Sequence, residues 1–113
     1  IVVSNTTITR SGLASAAKDG AGGLSGAPLT RLSTAMLGRF AQAAAGRLVL
    51  VGAGGIAPGA DAYAKIRAGA SAVQLYSALV FEGPGLVERI KADLAARLRA
   101  DGFGSVAEAV GAK

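Results

Sequence analysis

The alternation of apolar runs and glycine turns predicts a strand–helix–strand unit in the middle of the chain. Residues 48–51 are apolar with two β-branched members and run into the turn Gly52–Gly55. Such a run, bounded by glycines, is typical of a strand buried on both faces. A helix over Asp61–Ala68 and a second strand over Ser71–Tyr76 follow. Because parallel strands need a crossover of this kind, the pattern predicts an α/β fold.

Further elements are predicted on either side of this unit. Ile1–Ser4 has the pattern of a short buried strand. The additional predicted helices cover Leu29–Ala45, Leu86–Ala100 and Val106–Val110, the last with Ser105 as its N-terminal cap. Every fourth residue along the second of these helices is apolar, which predicts a face that packs against the sheet: Leu86, Ile90, Leu94 and Leu98.

Two helices allow sharper expectations about individual side chains. On the helix over Leu29–Ala45, the stripe predicted to face the core, with its methionine and phenylalanine as core residues, is Leu32, Met36, Phe40 and Ala43. On the following helix, Tyr63 and Ile66 are predicted to face inward. The charged Lys65 and Arg67 are predicted to face solvent.

Length and composition restrict the chemistry. The 113 residues suffice for one modest domain at most. Because the chain has no Cys and no His, it lacks thiol nucleophiles, disulfides, histidine bases and most transition-metal sites. The net charge of +5 comes without a basic block interleaved with aromatic residues, so no nucleic-acid partner is predicted. No apolar run approaches the ~20 residues that span a bilayer. The start Ile1-Val2-Val3 is typical of a strand interior, so we expect a piece of a longer sequence.

A cluster of polar side chains, Asn5, Thr6 and Thr7, follows the first predicted strand. In sheets with helical crossovers, ligands bind at the carboxyl ends of the strands. The Asn5 amide can donate and accept at once, which favours a carboxylate, an amide or a flat heterocycle as ligand. Asn and Thr also favour turns, so turn formation is an alternative explanation for the cluster.

Glycine-rich turns supply parts that could bind a phosphate. The backbone N–H groups of Gly22–Gly26 can converge on one anion, although a flexible linker has the same composition. Gly54 and Gly55 end one predicted strand, and Tyr76 and Ser77 end the next. In a (β/α)8 barrel, the loops after the last two strands commonly bind phosphate. The glycine order departs from the dinucleotide fingerprint, which argues against a nicotinamide cofactor.

Four stretches carry a resemblance to a known family: Ser4–Thr7, Gly22–Leu29, Val51–Ile56 and Ile66–Ser77. In order and spacing they closely resemble the C-terminal third of dihydroorotate dehydrogenase, most of all the quinone-dependent, membrane-associated class 2. The tail Gly102–Val106 is similar to that family's ending. The resemblance implies the C-terminal part of a (β/α)8 TIM barrel, about its last three strands and their helices. Residues 1–113 would then belong to a single barrel domain.

The resemblance also implies an activity and its ligands. Members of the family oxidise dihydroorotate to orotate on FMN, in pyrimidine synthesis, and class 2 passes the electrons to a quinone. By this resemblance, Asn5 and Thr6 bind the dihydroorotate or orotate head. The residues implied for FMN, with the last two at its phosphate, are Ser4, Gly26, Gly54, Gly55, Tyr76 and Ser77.

Other parts of the family pattern have no counterpart in this chain. These are the catalytic base (a serine in class 2), the flavin-facing lysine, and the N-terminal helices that meet the membrane and the quinone. Neither Ser25 nor Ser33 matches the position of the base, so no catalytic residue and no metal ligand is predicted here. Ser4 stands where many members carry Thr, and the hydroxyl is kept. Peripheral association of the full-length protein with the cytoplasmic side of the cell membrane is implied.

Two alternatives stay open at this point. One is another phosphate-binding barrel that acts as a flavin oxidoreductase on a different substrate. The other is a non-catalytic α/β module that binds a phosphorylated ligand.

Overall fold

The computed structural model describes residues 1–112, in which helices pack on one face of a parallel sheet. The three strands follow sequence order across the sheet: β1 (Val2–Val3), β2 (Val51–Ala53) and β3 (Ala72–Gln74). In register, Val2 pairs with Val51, and Val51 pairs with Ala72. The predicted parallel strands joined by helical crossovers are confirmed, although each strand is shorter than predicted.

Five α-helices connect and follow these strands: α1 (Thr30–Ala44), α2 (Gly59–Arg67), α3 (Ser77–Glu82), α4 (Gly85–Ala100) and α5 (Val106–Ala109). A 3-10 turn over Ala27–Leu29 leads directly into α1. The Ser105 cap is confirmed, because its hydroxyl accepts from the Glu108 N–H. The helix α3 was not predicted, since six residues are too few for a periodic pattern. Within residues 1–112, no helix has the length and apolar character to cross a bilayer.

The two faces of the sheet differ. Val3 and Gly52 face α1 and α2, whereas Val2 on the opposite face is exposed. The prediction of a strand at 48–51 buried on both faces is therefore wrong. That strand begins only at Val51, and the preceding Val49 is 69% exposed. The physical reason is that the helices described here cover one side of the sheet only.

The core consists of two apolar clusters on the helical side. The larger cluster joins the sheet to α1, α2, α4 and α5, and its buried members are Val3, Leu37, Leu50, Ile66, Ala70, Leu98 and Ala109. The smaller cluster lies between the turn after β2, α2 and α4: Ile56, Ala62, Leu86 and Ile90. The predicted face of α4 is confirmed, since three of its leucines and isoleucines are buried and Leu94 packs against the larger cluster.

The buried face of α1 is rotated from the predicted one. Its buried members are Ser33, Leu37 and Ala44, whereas Phe40 is 42% exposed. Of the predicted stripe, only Met36 packs, partly buried, against the core. The prediction was wrong because the buried face of α1 contains the polar Ser33. The adjacent face, with Leu32, Met36 and Phe40, therefore has the more apolar sequence pattern.

The prediction that Lys65 faces solvent is also wrong. Its exposed fraction is 0%, and its aliphatic stem lies over Gly52 of β2. A Cβ at Gly52 would lie 2.9 Å from Lys65 Cδ and 3.2 Å from Leu37 Cδ2. Gly52 is therefore a packing glycine that makes room for the lysine stem.

Arg67 fastens the end of the chain to α2. Its guanidinium lies 5.6 Å from the ring centre of Tyr63 and 5.3 Å from that of Phe103. Its Nε donates to the Ala112 carbonyl at 2.9 Å, and its Nη1 lies 3.1 Å from Asp101 Oδ2. Arg67, which was predicted to face solvent, is thus a partly exposed residue that forms an ion pair and several hydrogen bonds at the surface.

Candidate functional site

A cleft of about 340 Å³ lies at the carboxyl ends of the three strands. Its walls are formed by residues 4–6, 25–27, 53–57 and 74–78, together with Leu29 before α1 and with Phe81 and Glu82 of α3. All eight candidate ligand residues from the sequence line it: Ser4, Asn5, Thr6, Gly26, Gly54, Gly55, Tyr76 and Ser77. The fold thus brings together four segments that are far apart along the chain.

The segment after β1 carries the polar cluster. Asn5 Oδ1 accepts from the Thr6 N–H at 2.7 Å, so part of this side chain does stabilise the local turn. The Asn5 amide nitrogen has no partner among residues 1–112, and it remains available as a donor in the cleft wall. Thr7 instead forms an antiparallel bridge with Leu24, in which the two backbone nitrogen-to-oxygen distances are 3.1 and 2.7 Å. This bridge anchors the glycine-rich loop at its return toward α1.

The turn after β2 is held against α1 by both of its glycine carbonyls. Ser33 Oγ donates to Gly54 O at 2.9 Å, and Thr30 Oγ1 donates to Gly55 O at 2.6 Å. Both glycines have positive φ, 90° and 70°. Because a trans peptide points its N–H away from its carbonyl, the N–H groups of Gly55 and Ile56 are directed away from α1. Both residues line the cleft. Within residues 1–112 neither N–H has a hydrogen-bond partner.

The loop before α1 meets the segment after β3 across the cleft. Ser25 Oγ and Ser77 Oγ lie 2.8 Å apart, and a Cβ at Gly26 would lie 3.7 Å from Ser77 Cβ. Gly26 has a φ of 85°. Sequence reasoning named Ser25 individually only to reject it as the catalytic base; its position next to Gly26 was the signal that it lines the cleft.

The charges around the cleft are few. Among the described residues that line it, Glu82 is the one charged side chain, and it pairs with Arg89 at 2.8 Å. A buried cation, Lys65, lies behind the Gly54–Gly55 turn and donates to Ser33 Oγ at 2.6 Å. Burial lowers the pKa of Lys65 from its ordinary value, and the attraction of Asp61 opposes this only in part.

Sequence reasoning missed the role of Lys65 although a signal existed. Lys65 follows the buried Ala62 by three residues and precedes the buried Ile66. Positions separated by three and four share one helical face, so this spacing indicated a lysine on the inward side.

The chain matches a family model described as dihydroorotate dehydrogenase over residues 1–98. Similar proteins include two named dihydroorotate dehydrogenase (quinone). The protein from Azorhizobium caulinodans is 70% identical over 99% of this chain and 32% of its own length. The protein from Xanthobacter autotrophicus is 64% identical over 98% of this chain and 31% of its own length. The chain therefore spans about a third of the length of these relatives.

Solved structures agree with this match. The crystal structure of a ligand-free DHODH from Eimeria tenella superposes with a TM-score of 0.94 at 40% identity, over 97% of this chain and 31% of that chain. The same values of TM-score and identity hold for the complex of the Eimeria tenella protein with ferulenol, where 29% of that chain is covered. The predicted α/β fold, a three-stranded part of a TIM barrel, is confirmed.

Proposed function

Because this chain belongs to the dihydroorotate dehydrogenase family, we propose that it supplies part of the FMN site and part of the substrate site of a quinone-dependent enzyme. In this proposal the full-length protein oxidises dihydroorotate to orotate in pyrimidine synthesis, with a quinone as electron acceptor. The observation that carries the proposal is the cleft, in which all eight candidate residues from four separate segments meet at the carboxyl ends of the strands.

The geometry of the cleft fits a flavin phosphate. The unpartnered N–H groups of Gly55 and Ile56, together with the Ser77 hydroxyl, offer the donors that a phosphate needs. Tyr76 adds a phenol in the wall beside them, and Gly26 lets the loop backbone approach. When bound, FMN supplies the redox chemistry, and the protein binds and orients it.

The segment after β1 fits the substrate head. We assign Ser4 to contact with the flavin, and Asn5 and Thr6 to the dihydroorotate or orotate ring. The free amide nitrogen of Asn5 donates to a ring or carboxylate oxygen, and its oxygen is held by the Thr6 N–H. An uncharged amide recognises a planar pyrimidine without placing a second negative charge near its carboxylate. The proton is removed by a base outside this chain.

The remaining parts of the proposal concern the full-length protein. We assign residues 1–113 to one barrel domain, whose other strands cover the exposed sheet face around Val2. The parenthetical "quinone" in the names of the relatives supports a quinone acceptor and, since quinones partition into bilayers, peripheral association with the cytoplasmic side of the cell membrane. Quinone and membrane contacts belong to the part outside this chain.

The test uses the full-length protein that contains this chain. We expect it to purify with FMN and to reduce a soluble quinone analogue only when dihydroorotate is supplied. Retained flavin without turnover of dihydroorotate would point to a different flavin oxidoreductase. A cooperative thermal melt of the isolated 113 residues that FMN raises, together with a full-length protein inactive on dihydroorotate, would favour a binding module.

A further inference from the structure

We propose that Lys65 is a positioning residue for the anion-binding side of the Gly54–Gly55 turn, an inference that rests on the proposed FMN phosphate site. Lys65 has no exposed surface, although an ammonium group is costly to bury. Its Nζ donates to two hydroxyls of α1, Ser33 Oγ at 2.6 Å and Thr34 Oγ1 at 3.1 Å. Neither partner is a carboxylate, so the positive charge is not neutralised by direct contact.

The hydrogen bonds run in one direction, from Lys65 to the turn. An ammonium group only donates, so both hydroxyls accept from it and keep their single hydrogen for another acceptor. Thr34 Oγ1 donates to Thr30 O at 2.7 Å. Ser33 Oγ donates to the Gly54 carbonyl oxygen at 2.9 Å, while the competing acceptor, the Thr30 carbonyl oxygen, lies farther away at 3.3 Å. Lys65 thereby orients the Ser33 hydroxyl toward the turn.

The turn transmits this orientation to the cleft. Because the Gly54 carbonyl is held toward α1, the N–H of Gly55 on the same peptide points to the opposite side, away from α1, and Gly55 lines the cleft. The described lining of the cleft contains no Lys or Arg, so the buried charge of Lys65 contributes a positive potential from behind the turn. Such a charge is screened less by salt than one at the surface. Both effects favour an anion at the turn.

The test separates the phosphate from the rest of the flavin. In the full-length apoprotein, the dissociation constants of FMN and of riboflavin, which lacks the phosphate, are measured by flavin fluorescence. The phosphate selectivity is the ratio of the riboflavin dissociation constant to the FMN dissociation constant. We expect Lys65→Met, which keeps the stem and removes the ammonium, to lower this ratio about tenfold, because the Ser33 hydroxyl loses its orientation and the buried positive charge is removed. We expect Ser33→Ala to lower it as well, and Ser33→Ala decides the question if Lys65→Met does not fold.

Thr34→Val is the matched control. It removes the second contact of Lys65 but keeps the Ser33–Gly54 bond, so we expect an unchanged ratio. Equal loss of FMN and riboflavin affinity in Lys65→Met would show a purely structural lysine and overturn the inference. An unchanged ratio in both Lys65→Met and Ser33→Ala would overturn it too, while the proposed function stands. A wild-type protein that binds both flavins equally would instead overturn the phosphate site itself.

Discussion

Ser25 and Ser77 lie 52 residues apart in the sequence, yet their hydroxyl oxygens are 2.8 Å apart across the mouth of the cleft. Ser25 belongs to the glycine-rich loop before α1, and Ser77 follows β3. The hydrogen bond between them links the two segments that flank the proposed phosphate position.

This pair leads to a prediction about flavin affinity. We expect Ser77→Ala to weaken FMN binding by about 0.5–1.5 kcal/mol, one hydrogen bond to the phosphate, with little change for riboflavin. Ser25→Ala removes the bond between the loops but keeps the Ser77 hydroxyl, so its effect should be smaller. Equal effects of the two variants would mean that Ser77 acts only by fastening the loops. Flavin fluorescence titration of the full-length apoprotein measures both.

The two glycines of the β2 turn should respond differently to a methyl group. At Gly55 a Cβ would overlap the backbone of Thr30, whereas at Gly54 the nearest atoms lie at 3.4 and 3.5 Å. We expect Gly55→Ala to displace the turn and abolish FMN retention. Gly54→Ala should cost about 1–2 kcal/mol of folding free energy for its positive φ.

Gly12 supplies the control for backbone strain alone. It has a φ of 84° and open space around its Cβ position. If Gly12→Ala and Gly55→Ala lowered stability equally and both kept FMN, the close approach of Thr30 would not matter. Thermal unfolding and the flavin content after purification are the measurements.

Asn5 should affect substrate and not flavin. We expect Asn5→Asp, which replaces the amide donor by a carboxylate, to lower kcat/KM for dihydroorotate by about a hundredfold or more, because the donor to the substrate is lost and a like charge is added. The dissociation constant of FMN should stay within about twofold, a difference below ~0.5 kcal/mol. A parallel loss of FMN would move Asn5 from the substrate site to the flavin site.

Lys65 should make stability depend on pH in the alkaline range. The ordinary pKa of a lysine, which applies to the unfolded state, is 10.5, and burial lowers the pKa of Lys65 in the folded state. Between the lowered pKa and 10.5, the unfolded state therefore binds more protons than the folded state. The free energy of unfolding should therefore rise with pH in this window and fall as pH drops toward the folded pKa. In Lys65→Met this contribution is absent, so the Tm difference, wild type minus variant, should increase with pH. Lys91→Met, which removes an exposed lysine, is the control for the loss of one positive charge.

Variants of Arg67 and Asp101 test which contacts stabilise the packing of the C-terminal segment against α2. Its side chain is 27% exposed and that of Asp101 47%, so solvent weakens the ion pair, and Asp101→Asn should cost at most about 1 kcal/mol. Arg67→Met also loses the bond to the Ala112 carbonyl and the stacking on Tyr63 and Phe103, so we expect about 1–3 kcal/mol. Equal effects of the two variants, measured by denaturant unfolding, would assign the stability to the ion pair alone.

The sequence alone was sufficient to predict the parallel α/β architecture and which segments meet at the carboxyl edge of the sheet. Apolar runs that end in glycines, such as Leu50–Gly55, define parallel strands, and the carboxyl ends of parallel strands meet at one edge. Each strand is recognised from a few consecutive residues, and the arrangement of carboxyl ends at one edge holds for any parallel sheet. It is why Asn5, Gly54 and Ser77 could be assigned to one cleft before any distance was known.

Burial on individual helix faces depended on the tertiary structure. Periodicity favoured Phe40 over Ser33 and left Lys65 in solvent, because a hydrophobicity pattern assigns polar groups to the surface. Both polar residues are instead buried, since each satisfies the other: the lysine donates to the serine, and the serine donates to the Gly54 carbonyl. Partners 32 and 21 residues apart cannot be matched by a pattern that compares neighbours within one helix. The sequence determined where the cleft lies, and the tertiary packing decided which buried groups support its wall.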